Sequence, residues 1–323
     1  MHALLAELGN PERALRSIHV VGTNGKSTAT RTIAALLRRE GLRVGAFTSP
    51  HVSGWHERLD TDAESFERAV ARIRPASEQA DATQFEALTA AALAEFAAQG
   101  VDAAVVEAGL GGRLDATNVL AAPVVHLTSV GLEHTDVLGE TREAIAREKL
   151  AVVAPGAIAV LGEPEWARLL PDNEVRSGGA REAAEAFLGH AVSGDVDVRL
   201  PGRLDRRADD ELWDGAHTPD AADWLLERLP GGEWVVVASI LSDKDVDSML
   251  QRLARAGGTF VATQSSNPRA LPAGELADRA RRYFSHVVTE ADPFAAVRRA
   301  HECGPRVLVT GSLYLLADLY TAR

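Results

Sequence analysis

An α/β fold is predicted by three observations. Apolar strand-like runs alternate with stretches of helical periodicity along the whole chain, a glycine turn joins the first strand to a long helix, and the alternation restarts after a charged run at Asp205 to Glu211. Strands separated by helices imply parallel β-α-β units with ligands at the strand C-terminal ends. At 323 residues the chain exceeds one typical core. The expected division is a larger domain on a mainly parallel sheet, residues 1–204, and a smaller doubly wound, Rossmann-like domain, residues 205–323, with the charged run as the linker.

The glycine turn lies in residues 20 to 30, Val-Val-Gly-Thr-Asn-Gly-Lys-Ser-Thr-Ala-Thr. Ile18 to Val21 read as a buried strand, and Thr28 to Arg39 carry Ile33, Leu36 and Leu37 at helical spacing. Between them Gly22 and Gly25 let the backbone approach an anion, Thr23 and Asn24 fill the turn, and Lys26, followed by Ser27 and Thr28, brings charge to a helix N-terminus where free N–H groups converge. The general nucleotide loop G-x-x-x-x-G-K-[ST] needs glycine where Val20 stands, so the match is to a shorter loop, G-T-N-G-K-S. This makes the first domain a P-loop ATPase type and ATP the expected ligand.

Composition narrows the partners. A formal net charge of -12 with no basic tract argues against nucleic acid. Cys303 is the single cysteine, which excludes an intramolecular disulfide and a cysteine zinc site. The first residues lack a basic region followed by an apolar core, and no run reaches the length of a membrane span, so a cytoplasmic protein is expected. Arginine supplies nearly all the positive charge; the lysines are Lys26, Lys149 and Lys244. A chain so biased keeps lysine where a primary amine is needed.

Taken in order, Arg43 to Phe47 form a strand ending in Thr48-Ser49-Pro50-His51. Helices follow at Ala63 to Arg74 and Gln84 to Gln99, then the strand Ala103 to Val106 leading into Glu107. A carboxylate at a strand end near a phosphate loop suits Mg²⁺, or else caps the next turn. The strand Val124 to Val130 ends at Gly131-Leu132-Glu133-His134-Thr135, where His134 is a site candidate by position and a half-buried structural histidine when taken alone. Glu140 to Val153 read as a helix holding Lys149, whose ordinary explanation is a surface ion pair. A strand at Ala157 to Leu161 and a helix at Arg181 to Leu188 complete the first part. Beyond Pro201-Gly202-Arg203 the spacing predicts five strands, at 211–213, 234–238, 259–263, 287–288 and 306–310, with helices between them.

In this order the motifs resemble the Mur ligase superfamily, most specifically folylpolyglutamate synthase/dihydrofolate synthase. Residues 19–26 resemble that family's phosphate loop. Thr48 to His51, Phe85 to Thr89, Glu107 to Asn118, Gly131 to Thr135, Glu148-Lys149, Pro201 to Arg203, Asp214 to Pro219, Asp243 to Asp245, Pro268 to Ala270 and Gly311 to Tyr314 follow its sequence of motifs. The resemblance implies an ATP-dependent amide ligase: a substrate carboxylate takes the γ-phosphate to give an acyl phosphate, and the amine of L-glutamate displaces phosphate. It also implies two Mg²⁺ ions, one at Ser49 and Glu107, the other at His134 and a carbamylated Lys149, a modification arginine cannot carry. By the same resemblance Asn118 and Arg203 help place ATP, and Asp214 and His217 contact its base and ribose. The family implies a monomer whose acceptor is a pterin or folate carboxylate and whose glutamate site is completed by domain closure.

Three features separate the chain from typical members. Lys26-Ser27-Thr28 stands where the family has Lys-Gly-Ser and resembles the cell-wall Mur ligases. His217-Thr218-Pro219 replaces His-Asn-Pro. The stretches after His51 and between Ala157 and Arg203 are short. A ligase joining an amino acid to a non-folate carboxylate is therefore the alternative expectation, and a nucleotide-binding protein without ligase activity the third. Glu107, His134, Lys149 and Asp214 together weigh against the third, since a pure binder has no need of a second metal site.

Overall fold

The computed structural model describes residues 1–321. Its chain forms two compact units, Met1–His51 with Trp55–Val198, and Val52–Gly54 with Arg199–Arg323.

The first unit is built on six strands: β1 (Ser17–Val21), β2 (Val44–Phe47), β3 (Ala103–Glu107), β4 (Val124–Leu127), β5 (Ile158–Leu161) and β6 (Glu174–Ser177). All pair in parallel, in the order β2-β3-β1-β4-β5-β6. Every residue of β1 is buried, as expected of a central parallel strand covered on both faces. Ile18 and Val20 pack on one side with Ile33, Leu36 and Leu37 of the helix Lys26–Arg39. Val21 faces the other way, toward the core containing Leu88, Leu93 and Phe96 of the helix Gln84–Gln99. That second helix starts with a capping box between Thr83 and Glu86 and stops at left-handed Gly100.

The elements differ from the sequence expectation where side chains redirect the backbone. The helix after the glycine turn starts at Lys26, because Gly25 at φ 83° serves as its N-cap. The strand expected to reach Val130 ends at Leu127, since the next residues are spent on the turn. Thr128 Oγ1 donates to the Asn24 carbonyl at 2.7 Å, and the Thr23 amide donates to the Ser129 carbonyl at 2.8 Å. The helix Ala63–Gln79 continues through Pro75, and the helix expected from Glu140 to Val153 is confined to Arg142–Leu150 behind a Thr141 cap.

The second unit holds β7 (Asp205–Ala208), β8 (Glu211–Trp213), β9 (Val235–Ala238), β10 (Thr259–Ala262), β11 (His286–Thr289) and β12 (Val307–Thr310), in the order β11-β10-β9-β12-β8-β7. Five strands are parallel and β7 is antiparallel to β8. The charged run expected as a linker is thus a hairpin of this sheet. Its charges are accommodated locally: the Arg207 guanidinium lies 4.9 Å from the Trp213 ring centre and 4.8 Å from that of Tyr320, and the Tyr320 hydroxyl donates to Asp205. No helix among the described residues is long and apolar enough to cross a membrane.

Candidate active site

The glycine turn between β1 and the helix Lys26–Arg39 is bare at its mouth. No side chain caps the helix, so the N–H groups of its first turn are left for a ligand, and a Cβ on Gly25 would meet nothing within 4 Å. Such a ring of free N–H donors suits an anion such as phosphate. Gly22 is the opposite case: at φ 146° its Cβ would lie 1.9 Å from Thr128 Oγ1, so the loop closes against the end of β4 only because the residue is glycine. Lys26 Nζ folds back onto the loop, donating to the carbonyls of Gly22 at 3.0 Å and Thr23 at 3.2 Å.

Glu107, the last residue of β3, is buried beside this loop in register with Val20. Its carboxylate accepts from Ser27 Oγ at 3.0 Å and from the Ser49 amide at 2.9 Å. The Ser27 hydroxyl and the Ser49 backbone therefore meet at Glu107, and the hydroxyl and carboxylate oxygens are hard donors that suit a small divalent cation. Among the described residues no three His, Cys, Asp or Glu side chains gather as a metal site, so hydroxyl, phosphate or carbamate oxygens would complete such a coordination sphere.

Lys149, expected either on the surface or in the site, is 1% exposed. Its amine donates to the Gly22 carbonyl at 2.9 Å and to Glu133 Oε1 at 2.7 Å. Burial pushes the amine below the ordinary lysine range, with Glu133 pulling it up and Lys26 adding to the depression. Burial would raise the Glu133 carboxyl, but the attraction of Lys149 and Lys26 and hydrogen bonds from Lys149 and Thr23 hold it below the usual range. Glu133 was missed by the sequence reading; the signal was present, because a buried lysine demands a carboxylate and Glu133 adjoins His134. His134 itself is exposed, left-handed at φ 44°, and forms the N-cap of the short helix Thr135–Leu138.

The remaining candidates fall in two places. Asn118 closes the loop after β3, donating to the Arg113 carbonyl at 2.9 Å. Arg203, Asp214 and His217 lie together in the second unit, where the Gly215 amide donates to the Gly202 carbonyl at 2.9 Å. Asp214 accepts from the amides of Leu204 and Ala216 at 2.8 and 2.9 Å; burial raises its carboxyl above the usual range despite those bonds and nearby Arg203. His217 Nδ1 is 2.8 Å from the Gly215 carbonyl.

A pocket of about 560 Å³ opens in the first unit beside the loop after Glu107. Phe85, Leu110, Leu114 and Val137 give it apolar walls, and Asp115 and Arg113 give it polar ones. Leu114 and Val137 are 79% and 64% exposed, so they form the rim of the pocket. The sequence did not reveal this pocket, since its walls come from five separate segments.

Fold and site together define a phosphate-loop nucleotide enzyme of two α/β units. The Mur ligase middle domain model matches residues 20–180 and the Mur ligase glutamate ligase domain model residues 202–313. Folylpolyglutamate synthase of Lacticaseibacillus casei is 32% identical over 348 residues, spanning 83% of this chain and 81% of the relative. The Mycobacterium tuberculosis folylpolyglutamate synthase complexed with ADP superposes with a TM-score of 0.89 at 30% identity, covering 99% of this chain and 93% of that one. A bifunctional folylpolyglutamate synthase/dihydrofolate synthase with Mn, AMPPNP and L-glutamate bound gives 0.86 at 28%, covering 99% and 93%. The chain belongs to the folylpolyglutamate synthase/dihydrofolate synthase family of Mur ligases, and is an ATP-dependent ligase.

Proposed function

We propose that this ligase adds L-glutamate to dihydropteroate or to a reduced folate through an acyl phosphate. The observation that carries the acceptor is the pocket: a slot with aromatic and aliphatic walls and a carboxylate, Asp115, suits a flat ring rich in N–H donors. Its wall includes Glu148, the neighbour of Lys149, so the chain segments that shape the pocket also carry the phosphate-site residues. Ser27, the departure that favoured a non-folate acceptor, faces Glu107 and not the pocket, which supports the folate reading.

The residues are assigned the following roles. Gly22, Thr23, Asn24, Gly25, Ser27 and Thr28 present backbone and hydroxyl donors to the triphosphate, and Lys26 supplies a cation. Glu107, Ser49 and the Ser27 hydroxyl would hold one Mg²⁺; His134 and a carbamate on Lys149 would hold a second. When bound, the ions neutralise charge on the transferring phosphoryl group. Asn118 in the first unit and Arg203, Asp214 and His217 in the second are assigned to the nucleotide, and the sequence boundary expected at 204/205 moves to 198/199, with Val52–Gly54 joining the second unit. The protein is expected to work as a cytoplasmic monomer.

The test is phosphate release from ATP with Mg²⁺ and L-glutamate, run against dihydropteroate, tetrahydrofolate and a panel of unrelated carboxylates. Glutamate-dependent turnover with dihydropteroate or tetrahydrofolate supports the proposal. Turnover only with another carboxylate overturns the acceptor, and none with any overturns the ligation.

A further inference from the structure

His19 occupies the middle of β1 with no exposed surface, in a strand otherwise made of serine and aliphatic residues. An imidazole there costs desolvation unless it is bonded, and it has one partner: Nε2 lies 2.8 Å from Thr117 Oγ1. The Thr117 hydroxyl has a single proton, which it donates to Asp115 Oδ1 at 2.5 Å. Its oxygen must therefore accept from His19, which fixes the imidazole as the Nε2–H tautomer. Nδ1, the ring atom without a partner, is then a bare lone pair and not an orphaned donor. Burial keeps the ring neutral, drawing its pKa down to about 4 against the pull of Asp115.

The chain ends on a carboxylate that does two jobs. Asp115 Oδ1 also accepts the Thr117 amide at 3.0 Å, and Oδ2 accepts the Leu110 amide at 2.8 Å. The carboxylate thereby ties together the loop 110–117, which supplies Leu110, Arg113, Leu114 and Asp115 itself to the pocket wall. We propose that His19 is a positioning residue for the acceptor: through Thr117 it sets the orientation of the Asp115 carboxylate in the pocket, and so sets acceptor affinity without touching the acceptor. A residue serving only to fill the core would need no donor at this position, since leucine fills a similar volume without a polar atom.

This inference rests on the acceptor reading above, and the experiment separates the two. Dissociation constants for dihydropteroate and ADP are measured by calorimetry on the wild type, His19→Leu, His19→Gln and Thr117→Val, with KM for each substrate alongside. Glutamine places an N–H donor where imidazole Nε2 stood. The expected result is dihydropteroate binding weakened about tenfold in His19→Leu and Thr117→Val, ADP binding within about twofold, and recovery in His19→Gln, the loss of one oriented bond. Unchanged dihydropteroate binding in both loss variants, equal weakening of ADP, or a glutamine variant as poor as leucine overturns the positioning role. A wild type that binds no pterin or folate overturns the acceptor reading itself. Should His19→Leu fail to fold, as a melting curve would show, Thr117→Val decides alone, because it breaks the chain from the loop side.

Discussion

Lys26 and Lys149 aim their amines at one carbonyl, that of Gly22, from 3.0 and 2.9 Å. Two cations sharing an acceptor repel each other, and the Glu133 carboxylate beside Lys149 offsets that repulsion. Lys26 is the more exposed of the two, and Lys149 is 1% exposed.

Replacing Lys26 with alanine removes the cation of the phosphate loop and leaves the packed strand and helix alone. ATP turnover is expected to fall by about 1,000-fold, with circular dichroism and melting temperature unchanged. Full activity in Lys26→Ala would discard the phosphate role of this loop.

Lys149→Ala strips the Gly22 carbonyl of its buried donor and removes the amine that carbon dioxide can modify. Activity is expected to drop by about 100-fold or more, with partial recovery on adding short carboxylic acids that stand in for the carbamate. No loss on substitution removes the carbamate from the scheme.

Gly22→Ala pushes a methyl group into Thr128 Oγ1. Destabilisation of about 1–3 kcal/mol by overpacking is expected, accompanied by weaker ADP binding as the loop is displaced. Adding Thr128→Ala removes the closest atom and should recover part of both, read by denaturant titration and calorimetry.

The pH dependence of stability carries a signature of His19. Its pKa is about 4 in the folded protein and 6.5 in the unfolded chain, so between those values the unfolded state holds a proton that the folded state does not. Stability from this residue is complete above pH 6.5 and is lost as pH falls to 4, about 3 kcal/mol in all at ~1.4 kcal/mol per unit. Urea titrations at pH 7 and 4.5 should show a smaller decline for His19→Gln than for the wild type; equal declines would deny the buried neutral imidazole.

Sequence legibility followed burial. The parallel core strands β1, β2, β3, β5, β9 and β12 were readable because they are mostly apolar and buried, and the strand ends at Glu107, Ser49 and the phosphate loop came with them. The edge strand β6, Glu-Val-Arg-Ser, was not, being mostly exposed and without an apolar period. The helix Leu313–Thr321 went unread after the last strand. The link from His19 to Thr117 was hidden for another reason: the two residues are far apart in sequence and no local pattern marks the pair, whereas Glu133 stood beside His134 and was legible once Lys149 is known to be buried.

The hairpin β7–β8 has a further consequence. As the last strand in the order of its sheet, β7 leaves one row of backbone donors and acceptors unpaired, a template on which a strand from another molecule can add. Asp205, Arg206 and Arg207 in β7, with Asp209 and Asp210 in its turn, place charge along that open border. A strand joining there would have to desolvate those charges, so this stretch guards the protein against edge-to-edge polymerisation, and the same residues that disguised it as a connector are what keep the sheet finite.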